Sequence, residues 1–113
     1  MKRGEIWTVA GGANYAGKPR PAAIIQDDAY EGIDSITICP FTTDAAETPI
    51  TRPAIAATES NGLREPSLLM VDKITTLSRS KLGRCIGRLS NEDIAKLNRA
   101  MVLVLGLAST RTS

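Results

Sequence analysis

Histidine is absent from the chain, cysteine occurs twice, and only four residues are aromatic. The missing histidine excludes a Ser-His-Asp triad, a Cys-His nucleophile, a histidine pair for RNA cleavage and a His-based zinc site. The two cysteines, Cys39 and Cys85, form no Cys-x-x-Cys pair, so no structural zinc or redox motif is expected. Each stands among apolar neighbours and reads as a small buried hydrophobe. Long apolar runs are missing as well. The longest, Met101 to Ala108, is interrupted by Gly106 and falls far short of the ~20 residues a membrane span requires. No continuous apolar stretch follows Lys2 and Arg3, so residues 1–20 do not read as a secretory signal, and the expected compartment is the cytoplasm.

What is present suits one domain over residues 1–113, with 42% hydrophobic and 23% charged residues. The net charge of +2 hides an uneven distribution. Residues 1–20 carry four basic and one acidic side chain, residues 21–65 two and eight, and residues 66–113 eight and three. Five basic residues and no acidic one fall between Lys73 and Arg88. If the two basic segments meet in the fold they form a phosphate-attracting surface; left apart, they are ordinary solvated faces.

Residues 5–9 alternate in a β-prone context and read as a strand. Residues 10–18, with Gly11, Gly12 and Gly17, read as a mobile loop. This loop is not a phosphate-binding P-loop, because Lys18 is followed by Pro19 rather than Ser or Thr and no helix comes next. The run Pro21 to Gln26 fits a buried strand, and residues 27–34 an acidic turn with one helical turn at its start. Residues 35–42 read as a strand in which Pro40 implies an edge or a bulge. Residues 50–57 read as a weak strand, and 58–66 as a turn around Asn61-Gly62. Residues 67–71 read as a buried strand that 74–77 continue or bend from, and 82–89 as a last strand. Ser90 is a suitable N-cap, with Glu92 and Asp93 in the first helical turn. Ile94, Leu97, Met101 and Leu105 then share one helical face. Val102, Leu103 and Val104 make the helix nearly apolar all round, which calls for a subunit interface. Short strands, Gly/Pro turns and one C-terminal helix predict a mainly β fold, a curved antiparallel β-barrel with the helix packed on it.

Several blocks, in order, resemble one family. They are residues 1–7 (MKRGEIW), 17–21 (GKPRP) running into 22–28 (AAIIQDD), 40–42 (PFT), 62–67 (GLREPS) leading into 68–75 (LLMVDKIT), and 82–90 (LGRCIGRLS) before the helix. The chain thereby resembles the MazF/PemK toxins of bacterial toxin–antitoxin pairs. That resemblance implies an SH3-like barrel of the plasmid-toxin (CcdB/Kid/MazF) type, working as a homodimer. It implies sequence-specific cleavage of single-stranded RNA without a metal or other cofactor, leaving 2′,3′-cyclic phosphate and 5′-hydroxyl ends and inhibiting translation and growth. It also implies a cognate antitoxin with an acidic tail, through which alone DNA is contacted.

Residue by residue, Arg20 matches the family's principal catalytic arginine, whose planar donor fork suits phosphate oxygens. Thr42 matches the hydroxyl that ends the third strand, and Asp72 an acidic position near the reacting 2′-hydroxyl. Met70 stands where one branch of the family has a second arginine, which leaves the general base open between Asp72, Lys73 and Glu59. Tyr15, Lys18, Lys73, Arg79 and Arg84 are the candidate RNA-binding residues, Tyr15 through stacking; Trp7 and Phe41 read as core. The alternative is a gyrase-binding poison of the CcdB type on the same fold, against which the absence of a tryptophan near the C-terminal end counts.

Overall fold

In a computed structural model, which describes residues 1–10, 18–45 and 52–109, seven strands precede one helix. They are β1 (Glu5–Val9), β2 (Arg20–Ile24), β3 (Ser35–Thr42), β4 (Ala54–Ile55), β5 (Ser67–Leu69), β6 (Thr75–Ser78) and β7 (Leu82–Arg88), followed by α1 (Asn91–Val104). The strand order is β4-β5-β3-β2-β1-β7, with β6 also pairing β3. Every pairing is antiparallel. The predicted fold class is the observed one: a curled antiparallel sheet, a half-barrel, with a helix packed on it.

The apolar run at β2 is continuous because both of its faces are covered. Ala23 joins Ile6, Cys39, Phe41, Leu69 and Leu97 in the main core. Ala22 and Ile24 join Ile36 and Ile38 in a second cluster on the other face, against which Trp7, Val9, Leu77 and Leu82 pack. Ser90 caps α1, its hydroxyl accepting the Asp93 N–H at 3.1 Å. The helix buries Leu97 and Ala100 and packs Ile94, Met101 and Val104 against the main core. Leu105, expected on that face, is the C-cap and is exposed, because the helical twist ends before it.

Pro40 does not mark an edge. β3 is an interior strand, with β2 on one side and both β5 and β6 on the other. β5 pairs with Phe41 and Thr42, β6 with residues 35–38, and a 3-10 turn (Val71–Lys73) steps between them. The Pro40 carbonyl, which accepts the Met70 N–H at 2.9 Å, points at that break. In an extended strand the N–H of a residue lies on the same side as its C=O. The donor that proline lacks therefore falls where the neighbouring ladder is interrupted.

The weak strand expected at 50–57 is confined to Ala54–Ile55 among the described residues. The glycine-rich loop expected at 10–18 lies, from residue 11 to 17, outside the described residues. Cys39 is buried as expected, and burial first, with the Asp72 charge second, pushes its thiol up to about 12. Cys85 is exposed, contrary to expectation. It lies on β7, where the strand order ends, and apolar neighbours in sequence do not bury an edge strand's outer face.

Candidate functional site

A groove of about 900 Å3 opens at the end of the sheet where β2 begins. Four cationic residues, Lys18, Arg20, Arg64 and Arg84, and the acidic, exposed Glu65 line it, together with Thr8 and Thr43. Three segments far apart in sequence supply these charges, and each is held by a local device.

The Arg84 segment is held by Thr8. The Thr8 hydroxyl accepts the Arg84 backbone N–H at 3.0 Å, where the β1–β7 register is irregular between Trp7 and Val9. The segment carrying Arg64 and Glu65 is held by Asn61, which is buried. The Asn61 carboxamide oxygen accepts the N–H groups of Thr58 and Leu63, both at 3.0 Å, and its amide donates to the Ala56 carbonyl at 2.8 Å. Gly62 follows with φ +70°, and a Cβ there would lie 2.1 Å from the Ile86 carbonyl oxygen. The turn therefore sits directly on β7, and the Arg88 N–H donates to the Ser60 carbonyl at 3.0 Å. The Ser67 hydroxyl donates to the Glu65 carbonyl at 2.9 Å.

Arg20 opens β2 opposite Val9. The register that pairs Ala22 with Pro40 brings Arg20 and Thr42, each two residues further on, to the same end of the sheet. Strand alternation places both on the face that carries Ala22 and Ile38, whereas Thr8 and Pro21 belong to the face of the groove. Arg20 is the junction: it lines the groove and also shares the sheet face of Thr42. The Thr42 hydroxyl oxygen accepts the Asp44 N–H at 3.1 Å, so its own proton remains to be donated.

Three of the sequence-predicted residues, Lys18, Arg20 and Arg84, are thus brought together. Tyr15 lies outside the described residues. Asp72 and Lys73 stand apart from the groove, on the 3-10 turn that packs against α1. Asp72 forms a bidentate pair with Arg52, at 2.8 and 2.9 Å. The hydrogen bonds from Arg52 hold the Asp72 carboxyl below its usual range, and desolvation does not reverse this. A carboxylate so held is a weak base. Arg79 is directed elsewhere too: its guanidinium donates to the carbonyls of Glu31 and Ile33 and reaches the Met1 sulfur. Arg64, Glu65, Thr8 and Thr43 were not singled out as site residues from the sequence, although Arg64 and Glu65 lie inside the quoted 62–67 block. No cluster of three or more His, Cys, Asp or Glu suited to a metal ion occurs among the described residues.

A cationic groove on a small curled β-sheet defines a domain suited to binding an extended polyanion. Comparison with known proteins gives the family. Residues 2–105 match the PemK-like, MazF-like toxins of type II toxin–antitoxin systems, and the chain belongs to that family. It is 44% identical over 108 residues to the probable endoribonuclease MazF of Mycolicibacterium smegmatis, covering 96% of this chain and 99% of that protein. The Mycobacterium tuberculosis toxin MazF-mt6 superposes with a TM-score of 0.76 at 25% identity, over 90% of this chain and 96% of that one. A mycobacterial endoribonuclease solved in complex with its cognate antitoxin superposes with a TM-score of 0.77 at 23% identity, over 95% and 96% of the two chains.

Proposed function

We propose that this toxin is an endoribonuclease that cuts single-stranded RNA at defined sequences without a metal, and so inhibits translation and growth. The observation that carries the reading is the cationic groove that Arg20 shares with Lys18, Arg64 and Arg84, at the end of the sheet to which the register also leads Thr42. The 44% identity to a protein named as an endoribonuclease over nearly its whole length supports it.

With no histidine in the chain, the economical nucleophile is the RNA's own 2′-hydroxyl, already tethered beside the phosphorus. A bond forms from O2′ to phosphorus and the bond from phosphorus to O5′ breaks. The 2′-hydroxyl proton leaves to a base or to solvent, and O5′ takes up a proton. The products are a 2′,3′-cyclic phosphate and a free 5′-hydroxyl. Arg20 neutralises the non-bridging oxygens through its donor fork, and the Thr42 hydroxyl donates to one of them. The bases and phosphates on either side of the cut occupy the groove lined by Lys18, Arg64 and Arg84.

The protein acts in the cytoplasm as a homodimer, and a cognate antitoxin's acidic tail competes with RNA for the same cations. It contacts DNA only through that antitoxin. Among the described residues no helix is long and apolar enough to cross a membrane. The gyrase-poison alternative is not favoured, since the matching family is the PemK/MazF one over 2–105.

The test is digestion of a defined single-stranded RNA in EDTA with mapping of both ends. The expected products carry cyclic phosphate and 5′-hydroxyl, and one 2′-deoxy substitution on the 5′ side of the cut blocks cleavage there. Cutting of the deoxy strand at the same bond, or ends bearing a 5′-phosphate, would overturn the mechanism.

A further inference from the structure

Glu65 is out of place in a groove built for phosphates. It is the one carboxylate beside four cationic side chains among the lining residues. Phosphate oxygens are acceptors only, so a carboxylate is repelled by them, and the one donor the RNA backbone offers it is the ribose 2′-hydroxyl. Nor is Glu65 a partner for the arginines around it: its carboxylate has no ion pair or hydrogen bond among the described residues.

Its main chain is nevertheless fixed. The Glu65 carbonyl accepts the Ser67 hydroxyl at 2.9 Å, and Pro66 confines the residue before it to extended backbone. The turn just upstream is pinned by Asn61 and seated on β7 at Gly62. A side chain carried on a fixed backbone and left unengaged inside a binding groove is prepared for a ligand group of the opposite hydrogen-bonding sense. In single-stranded RNA such donors are the ribose 2′-hydroxyls, which are the same on every nucleotide, and the base edges, which differ from base to base and are unpaired and open to readout.

We propose that Glu65 is a specificity-determining residue that accepts hydrogen bonds from the exocyclic amine of one unstacked base. One subsite of the groove then takes guanine, cytosine or adenine in preference to uracil. Guanine offers N1–H and N2–H side by side to both carboxylate oxygens, whereas cytosine N4 and adenine N6 each offer an amine. Uracil offers a single N–H flanked by two carbonyls that oppose the carboxylate. The inference rests on the ribonuclease reading above and adds to it which base edges the groove admits.

The experiment is digestion of a randomised single-stranded RNA pool with the wild-type protein, Glu65→Ala and Glu65→Gln, with sequencing of the cut ends. The readout is the ratio of amine-bearing bases to uracil at each position around the cut within one digest, which does not depend on overall rate. For the wild type one position excludes uracil by about 10-fold or more, the scale of a good side-chain-to-base contact. Glu65→Ala loses that exclusion, and Glu65→Gln admits uracil because its NH2 donates to a uracil carbonyl. A wild-type cut pattern with no such position, or the same exclusion in both variants, overturns the assignment of Glu65 while leaving the nuclease reading intact. A wild-type protein that cuts nothing in the pool overturns both. Inosine at the selected position, which lacks the N2 amine, separates the guanine arm: it weakens cleavage by the wild type and leaves Glu65→Ala unaffected.

Discussion

The hydroxyl of Thr8 and the backbone N–H of Arg84 are joined at 3.0 Å across β1 and β7, and this contact sets where one wall of the groove stands. A Cβ at Gly83 would lie 2.4 Å from the same Thr8 hydroxyl oxygen. Gly83→Ala therefore forces Thr8 or β7 aside, and Thr8→Val removes the acceptor. Thr8→Val is expected to cost about 1 kcal/mol of stability, the net worth of an ordinary hydrogen bond. Both changes should reduce RNA affinity by shifting Arg84. Urea unfolding and RNA-binding titrations check this, and wild-type affinity in Gly83→Ala would show that the wall tolerates displacement.

Asn61 holds the opposite wall with two accepted hydrogen bonds and one donated. Asn61→Ala leaves the N–H of Leu63 and the carbonyl of Ala56 without that partner. At about 1–3 kcal/mol for the buried Leu63 N–H left unpaired, with less for the part-buried Ala56 carbonyl, the expected loss is about 2 kcal/mol. Gly62→Ala should be as damaging, since φ is +70° and the added Cβ meets the Ile86 carbonyl. Thermal denaturation reads both, and a loss under about 1 kcal/mol in Asn61→Ala would show that the turn is held by other contacts.

Acid, rather than a change near neutral pH, should lower the stability of this protein. Three carboxyls sit below their ordinary values. For Glu5, burial pushes upward but hydrogen bonds from the Lys2 N–H and Trp7 indole outweigh it. For Glu31 the cause is the hydrogen bond from the Lys2 ammonium, followed by the N-terminal amine. For Asp72 it is Arg52. A depressed carboxyl contributes stability that is complete above its unfolded value, 4.5 for Glu and 3.8 for Asp. That contribution is lost as pH falls through the folded value. The melting temperature should hold level from about pH 7 to 5.5, since no histidine titrates there. It should then fall gently as pH drops below about 4.5, because these carboxyls lie at the surface, where solvent screens their pairs. Asp72→Asn should flatten part of that fall; an unchanged slope would mean that the Arg52 pair adds nothing to stability.

The end of α1 predicts association. Leu103, Leu105 and Leu107 are 64%, 53% and 70% exposed after the helix has packed. Contiguous apolar surface of this kind marks an interaction face. Light scattering at micromolar concentration should give twice the 12.0 kDa chain mass. Leu103→Glu should shift the population to monomer without lowering the helical signal, because Leu103 packs into neither core. A dimer unaffected by Leu103→Glu would place the interface elsewhere.

How much of this was legible in the sequence depends on how local the cause is. The cap at Ser90 and the two-sided burial of β2 follow from neighbouring residues, and both were readable. Arg20 and Thr42 were proposed for the site through a family resemblance, as their strand ends alone carry no signal. Arg64 and Glu65 were missed because they close an acidic segment and lie 44 and 45 positions from Arg20. Only the seating of the Asn61 turn on β7 brings them to the groove. The basic run from Lys73 to Arg88 misled in the opposite way. It crosses a turn and two strands, so Arg84 reaches the groove while Arg79 bonds carbonyls of the acidic 27–34 turn. Pro40 warned correctly of an interruption, but in the neighbouring ladder rather than at an edge.

Arg20 gives the sharpest test of the proposed chemistry, because its loss should separate catalysis from folding. It is exposed at the start of β2, where the main chain rather than the side chain makes the pairing with Val9. Arg20→Ala should therefore leave that strand pairing in place, which far-UV circular dichroism of the variant checks. The cleavage rate should fall by about 100–1000-fold, the cost of deleting one donor aimed at developing charge. Arg20→Lys keeps the charge but not the planar fork, so it should recover binding more than rate. A loss confined to affinity would make Arg20 a phosphate clamp rather than a catalytic residue. A loss in the single-turnover rate at saturating protein, with the lysine variant intermediate, is expected if the guanidinium meets the phosphorus as the bond to O5′ breaks. Alanine at position 20 with wild-type turnover would remove the residue from the mechanism and leave Thr42 without its partner.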